Sequence, residues 1–308
     1  MEAKMLDDSV KANVTDVSVD SLWRDPASDG RFYDLCSGQR FQLLHAWDVG
    51  DKWNQGTIPI AVWKCECGLV FLHPVPTPEQ LPGEGDWWSP KREKIRHGRR
   101  FKNIHIKAGR AIFKSPRHRL LKYTQKIAPS GRLLEVGCGS GKLLALASQF
   151  YDCVGVERSP VAAAKARSLG IPVIESSFED ARIEPQAFDV VIMNSSIEHV
   201  DSPMMMLKKA NRKLRHGGVI AVRTPKFGGP TYRLRGATWR GFRHGYHTFL
   251  FSGETLARYL QRSGFEVCRR PKRDRMFDDI LILWGRKMAE VKTRTRSTGF
   301  VSSAAQKQ

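Results

Sequence analysis

The sequence predicts a doubly wound α/β domain of mostly parallel strands over residues 131–288, and three observations carry that prediction. Strand-sized apolar runs alternate with helix-period segments from Arg132 to Lys287. The runs are continuously apolar, as strands covered on both faces are, and do not alternate apolar with polar. The first run ends in a glycine-rich turn that opens a helix.

Within that domain, RLLEVG from Arg132 is a short buried strand, KLLALASQF from Lys142 a helix, and DCVGVE from Asp152 a strand. PVAAAKARSLG from Pro160 is a helix stopped by Gly170, followed by the strands IPVIES and FDVVIMN. SPMMMLKKANRKLRHGG is a helix with a glycine stop, and VIAVRTP is a strand. ETLARYLQRSG is a helix, and FEVCRR and FDDILILWGRK are the last two strands.

Ahead of this domain the composition changes. Residues 1–90 carry 7 basic and 14 acidic side chains, whereas residues 91–132 carry 15 and 1. Residues 133–206 carry 5 and 10, residues 207–308 carry 24 and 6, and the whole chain of 308 residues has net charge +20. These breaks divide the chain into a disordered start (1–30), a Cys- and Trp-containing module (31–90), a basic helical connector (91–130), the α/β domain, and a disordered tail (289–308). In the connector Phe101, Ile104, Ala108 and Ile112 recur at helical spacing, and Ser115-Pro116 caps a second helix. The basic connector could contact an anionic membrane or a nucleic acid, or simply be a solvated face. No run reaches the ~18 apolar residues of a spanning helix. MEAKMLDDSV has neither a basic nor an apolar signal region, so a cytoplasmic location is expected. Six scattered cysteines fit a reducing compartment, with Cys138, Cys153 and Cys268 as small buried hydrophobes.

The turn after the first strand is Glu135-Val136-Gly137-Cys138-Gly139-Ser140-Gly141. A phosphate-binding P-loop would need Gly at Val136 and Ser or Thr at Leu143, and a dinucleotide fingerprint would need a small residue at Lys142. What remains is E/D-x-G-x-G-x-G. With it the chain resembles the class I S-adenosylmethionine (SAM)-dependent methyltransferases, whose sheet is Rossmann-like and seven-stranded. LLEVGCGSG resembles their first motif, which implies that Glu135, Gly137, Gly139 and Gly141 cradle SAM. The resemblance places Glu157 on the ribose hydroxyls, Phe178 at the adenine and Asn194 near the methionine end. RKLRHGGVIAVRTP is similar to the L-x-P-G-G turn and fifth strand, with His216 in the place of the usual Pro. Phe178 could equally be core packing, and Glu198-His199 could simply cap a helix.

The stretch KFGGPTYRLRGATWRGFRHGYHTFLFS is too long for an ordinary connection, so a lid or substrate loop is expected at the carboxyl ends of the strands. It resembles the G-x-x-W…H-x-x-x-F-S-x-E-T-L stretch of small-molecule and sugar methyltransferases related to the ubiquinone O-methyltransferases. The resemblance makes His247 a candidate base, with His199 the other. Some quinone enzymes of this group carry E-x-x-E-H and use a metal. Ser195 replaces the first acid here, so no catalytic metal is expected.

FYDLCSGQRF and VWKCECGLVFLHPVPTPEQL resemble the two halves of the zinc ribbon that precedes this subgroup. Tyr33 stands at the first cysteine position, leaving Cys36, Cys65 and Cys67, and three cysteines do not close a four-ligand site. Less than one tightly held zinc per chain is expected. The resemblance implies a SAM-dependent enzyme that methylates a hydroxyl of a sugar or other small molecule. An RNA methyltransferase and a non-catalytic SAM-binding protein remain open.

Overall fold

The computed structural model describes residues 40–50, 57–73, 116–242, 247–268 and 279–288. The disordered start, the first connector helix with Ser115, the tail and Cys36 are expectations that lie outside the described residues.

The seven strands of the main sheet are β4 (Arg132–Val136), β5 (Asp152–Glu157), β6 (Val173–Glu175), β7 (Phe188–Asn194), β8 (Leu214–Pro225), β10 (Phe265–Val267) and β11 (Ile280–Lys287). Their spatial order is β10-β11-β8-β7-β4-β5-β6. β4 to β8 run parallel, and β11 is antiparallel to both β8 and β10. Two of these strands, β5 and β7, begin and end where the apolar runs do.

The helices follow from their caps. α3 (Pro160–Arg167) and α4 (Pro203–Lys213) each start with proline at the first position, after Ser159 and Ser202, whose hydroxyls accept from Ala162 N and Met205 N. Ser252 caps α5 (Gly253–Arg262) in the same way through Thr255 N, with Glu254 in the favourable first turn. α1 (Pro116–Ile127) lies on the sheet through a buried bond from Trp284 Nε1 to Thr124 Oγ1 of 3.0 Å, and the Tyr123 and Trp284 rings are 4.3 Å apart.

Two elements differ from expectation. The helix expected from Lys142 shortens to α2 (Leu144–Ala147), because Phe150 N and Tyr151 N both turn back onto Ala147 O. β8 begins at Leu214, ahead of the glycine pair. Phe188 pairs with Leu214 and Val190 next pairs with Val219, so Arg215–Gly218 form a bulge. Asp189 braces it, accepting from Arg132 N at 2.7 Å and from Arg215 Nη1 at 3.0 Å.

A second sheet joins the two parts of the chain. β1 (Phe41–Gly50), β2 (Thr57–Cys65) and β3 (Val70–His73) form an antiparallel meander, and β9 (Phe249–Leu250) from the insertion pairs with β3. One continuous apolar cluster runs from Ala61, Trp63, Leu69 and Phe71 through Phe249 and Phe251 to Leu256, Tyr259 and Ile220.

Candidate active site

Because β4, β5, β7 and β8 are parallel, the segments leaving them meet at one edge of the sheet, where open α/β sheets hold their ligands. The glycine loop leaves β4 with φ of +69°, +54° and +70° at Gly137, Gly139 and Gly141. A Cβ at Gly137 would stand 3.0 Å from the Ser196 Cβ, and one at Gly141 2.9 Å from the Ala166 Cβ. Both conformation and space therefore require glycine here.

Glu157, at the end of β5, ties the loop down: its Oε2 accepts from Gly139 N at 2.8 Å and its Oε1 from Ser159 N at 2.9 Å. Each oxygen keeps a second lone pair, so the carboxylate can also take the two hydroxyls of a ribose. A glycine cradle beside a backbone-anchored carboxylate fits SAM.

Glu135 is buried at 1% exposure, and its Oε1 accepts from Asn194 Nδ2 at 3.3 Å. Its Oε2 is buried without a hydrogen-bond partner. Burial pushes this carboxyl up to about 8, against the Asn194 bond and the Arg117 charge, with Glu157 adding a smaller push in the same direction. Asn194 Oδ1 in turn accepts from Arg223 Nη1 at 3.1 Å, and the same guanidinium nitrogen reaches Ser195 Oγ. Ser195 holds φ of +60°, a left-handed conformation that its N–H bond to Arg223 O, 2.8 Å, helps to fix. Neither this bracing role of Arg223 nor the strain at Ser195 is visible in the sequence. Phe178 is buried at 3% in the apolar core, with the Lys209 ammonium 5.3 Å above its ring. The Cys153 thiol is pushed by burial to about 12 and the Cys138 thiol is also raised, so neither is a nucleophile at neutral pH.

Beyond β7, a short 3-10 turn (Ile197–His199) carries Glu198 and His199. The insertion returns His247 against them, with the two imidazole rings 4.9 Å apart and inclined at 64°. His247 Nδ1 lies 2.7 Å from Gly241 O. A carbonyl only accepts, so Nδ1 carries the proton and the lone pair is on Nε2. Glu198 is fully buried and both of its oxygens lack a hydrogen-bond partner. Burial raises its pKa, opposed by His247 when that ring is charged and by the nearby Thr224 and Arg223. Among the described residues, Glu198, His199 and His247 form the one group of three metal-type donors, all within 4.8 Å of one another. Glu198 lies within this turn, and Ser196 ahead of it makes no side-chain capping bond. Sequence reasoning missed this grouping because His247 arrives from 48 residues away on a loop with no local signal of its destination.

The insertion is closed at its base, where Lys226 bridges to Phe251 and Phe227 N donates to Phe251 O at 3.0 Å. Trp239 and Phe242 do not stand open as an apolar lid. They are buried with Val62, Val70, Leu72 and Leu250 against the N-terminal sheet. Asp279 accepts from Trp239 Nε1 at 3.2 Å and from Thr231 Oγ1, which ties the same loop to β11. His45 Nε2 and Tyr232 OH lie 3.1 Å apart across the join. In the N-terminal module, Cys65 and Cys67 are buried in the main apolar cluster and belong to no three-donor group among the described residues. No described helix is long and apolar enough to cross a membrane.

Comparison with known proteins supplies the lineage. The family profile described as "Methyltransferase domain" matches residues 108–269, so it takes in α1 and every strand of the main sheet except β11. An uncharacterized protein of Methanocaldococcus jannaschii is 35% identical over 94 residues, 30% of this chain and 44% of that protein. A ubiquinone biosynthesis O-methyltransferase of Aliivibrio fischeri is 29% identical over 101 residues, 30% of this chain and 43% of that protein. The chain thus spans less than half the length of these two relatives. A solved SAM-dependent methyltransferase of Thermotoga maritima, described as a possible histamine N-methyltransferase, is 24% identical with a TM-score of 0.44, covering 61% of this chain and 97% of that one. With its profile match over more than half the chain and its seven-stranded sheet, this chain belongs to the class I SAM-dependent methyltransferase family.

Proposed function

We propose that the chain transfers a methyl group from SAM to a hydroxyl of a sugar or other small molecule. The observation that carries the acceptor chemistry is the His199–His247 pair at the carboxyl edge of the sheet, with His247 fixed in the tautomer whose Nε2 can take a proton. SAM, when bound, supplies a methyl already activated on a sulfonium. The glycine loop and Glu157 hold the adenosine portion. Asn194, braced by Arg223, faces the methionine end beside Glu135. His247 Nε2 then meets the acceptor's O–H, and its Nδ1–H stays on Gly241 O as positive charge develops on the ring.

The relatives named as ubiquinone biosynthesis O-methyltransferases support an oxygen acceptor, over the roughly 100 residues they share with this chain. Removing a general base costs typically about 10²–10⁴-fold in rate. His247→Ala is therefore expected to keep SAM affinity and folding while losing methyl transfer by about that factor. Transfer is followed with methyl-labelled SAM on a metabolite fraction, and His199→Ala is the matched comparison. Full activity in both variants would remove the hydroxyl reading. Label in nuclease-sensitive material would move the acceptor to RNA.

A further inference from the structure

We propose that Lys209 and Lys213 are positioning residues for the cofactor: from α4 they hold residues 177–183 where that segment walls the adenine end of SAM. This role concerns the cofactor and is the same whichever acceptor is methylated. Strand order places the adenine. The glycine loop leaves β4, Glu157 closes β5, and β6 is next along the sheet. SAM carries its ribose between base and methionine, so a methionine over the glycine loop and a ribose on Glu157 put the base over the exit of β6. That exit is joined to the ribose residue itself, since Ser176 N donates to Glu157 O at 3.1 Å.

Beyond Ser176 the chain folds into one turn, in which Ser177 Oγ accepts from Asp180 N at 3.1 Å and Ala181 N donates to Ser177 O at 2.9 Å. The next carbonyls take their donors from α4. Lys209 Nζ donates to Glu179 O at 2.6 Å and to Ala181 O at 3.2 Å, and Lys213 Nζ donates to Ile183 O. The Lys209 ammonium also stands 5.3 Å from the centre of the buried Phe178 ring, within cation–π reach.

Like charges four residues apart on a helix repel, so this pair is unfavourable for α4 by itself. Its use lies in what it grips. Two ammonium groups one turn apart meet carbonyls spread along the segment, which fixes the direction of that segment as well as its distance from the helix. A single tether would let it pivot about one point.

The test is calorimetric binding of S-adenosylhomocysteine to the full chain, with folding checked by circular dichroism. Lys209→Met, which keeps most of the stem and removes the donors, is expected to weaken binding by about 10-fold, as the loss of one hydrogen bond to a charged group would. Lys209→Arg should restore most of the affinity, because a guanidinium also donates to carbonyls. Lys208→Met, at the exposed neighbouring position, should leave binding unchanged. Amide hydrogen exchange over residues 177–183 should be faster in Lys209→Met, and S-adenosylhomocysteine should protect those amides less than in the parent chain. Lys213→Met removes one contact only and gives the same comparison if Lys209→Met does not fold. Unchanged affinity in a folded lysine variant, whatever its melting temperature, would reduce the pair to braces of the fold and overturn the proposal. An equal loss in Lys208→Met would trace the effect to net charge, and failure of Lys209→Arg to rescue would remove the carbonyl contacts as its cause; either result also overturns it.

Discussion

Glu157 concentrates the cofactor question in one side chain. Its carboxylate fastens Gly139 and Ser159 through their N–H groups and keeps a further lone pair on each oxygen. Hydrogen bonds to a charged group contribute about 1.5–3 kcal/mol, so Glu157→Ala is expected to weaken SAM binding by roughly 10- to 100-fold in a folded protein, read by calorimetry. Glu135 makes a different prediction. Its folded pKa of about 8 lies above the ordinary 4.5, so the folded state holds a proton that the unfolded chain has released. Stability is therefore greatest below about 4.5 on this account and falls as pH rises toward 8. Glu135→Gln should flatten that fall, as urea midpoints measured across the window will show. An unchanged slope would mean that the burial of Glu135 is relieved in solution. The two residues differ in legibility. Glu157 is marked locally, by a strand end and a fixed offset from the glycines. The burial of Glu198 depends on which distant segments cover it, and no neighbouring residue announces that.

Among the elements, the strand-to-helix turn after β4 was legible because its demands are backbone demands, met by three glycines within five residues. Gly141→Ala tests them. A side chain at φ of +70° costs about 1–2 kcal/mol before any contact, and its Cβ would stand 2.9 Å from the Ala166 Cβ. The expected result is a lower urea midpoint with an unchanged m-value, together with weaker SAM binding. Strands β5 and β7 were legible because both faces are covered, so their apolar runs are uninterrupted. The start of β8 was not legible, because a charged Arg215 reads as the end of a helix until Asp189 is known to hold it. β9 was invisible for a related reason. Two residues, Phe249 and Leu250, form a strand only because β3 offers them an edge.

At the scale of the molecule, the N-terminal meander and the catalytic sheet share one core through Phe71, Phe249 and Phe251. Division into a ribbon module and a separate catalytic domain follows composition, whereas packing joins the two. Phe71→Ala is expected to cost about 3–5 kcal/mol and to lower the unfolding midpoint of the whole chain in one transition. It should also reduce methyl transfer, since β3 carries the strand that follows His247. Two separate calorimetric transitions, with transfer intact, would show the halves to be independent.

The closed base of the insertion has an evolutionary consequence. With Lys226 and Phe227 joined to Phe251, the chain between them is a cassette whose two ends never part, so its length is nearly free to drift. Each doubling of a flexible loop adds only about 0.6 kcal/mol of closure entropy. A lineage can therefore trade one acceptor for another by rewriting the exposed positions between them, provided that Trp239 and Phe242 still fill the core, Gly241 O still holds His247, Phe249 and Leu250 still dock on β3 and Asp279 still finds a donor. Substrate range in such a protein diversifies without disturbing the part that holds SAM.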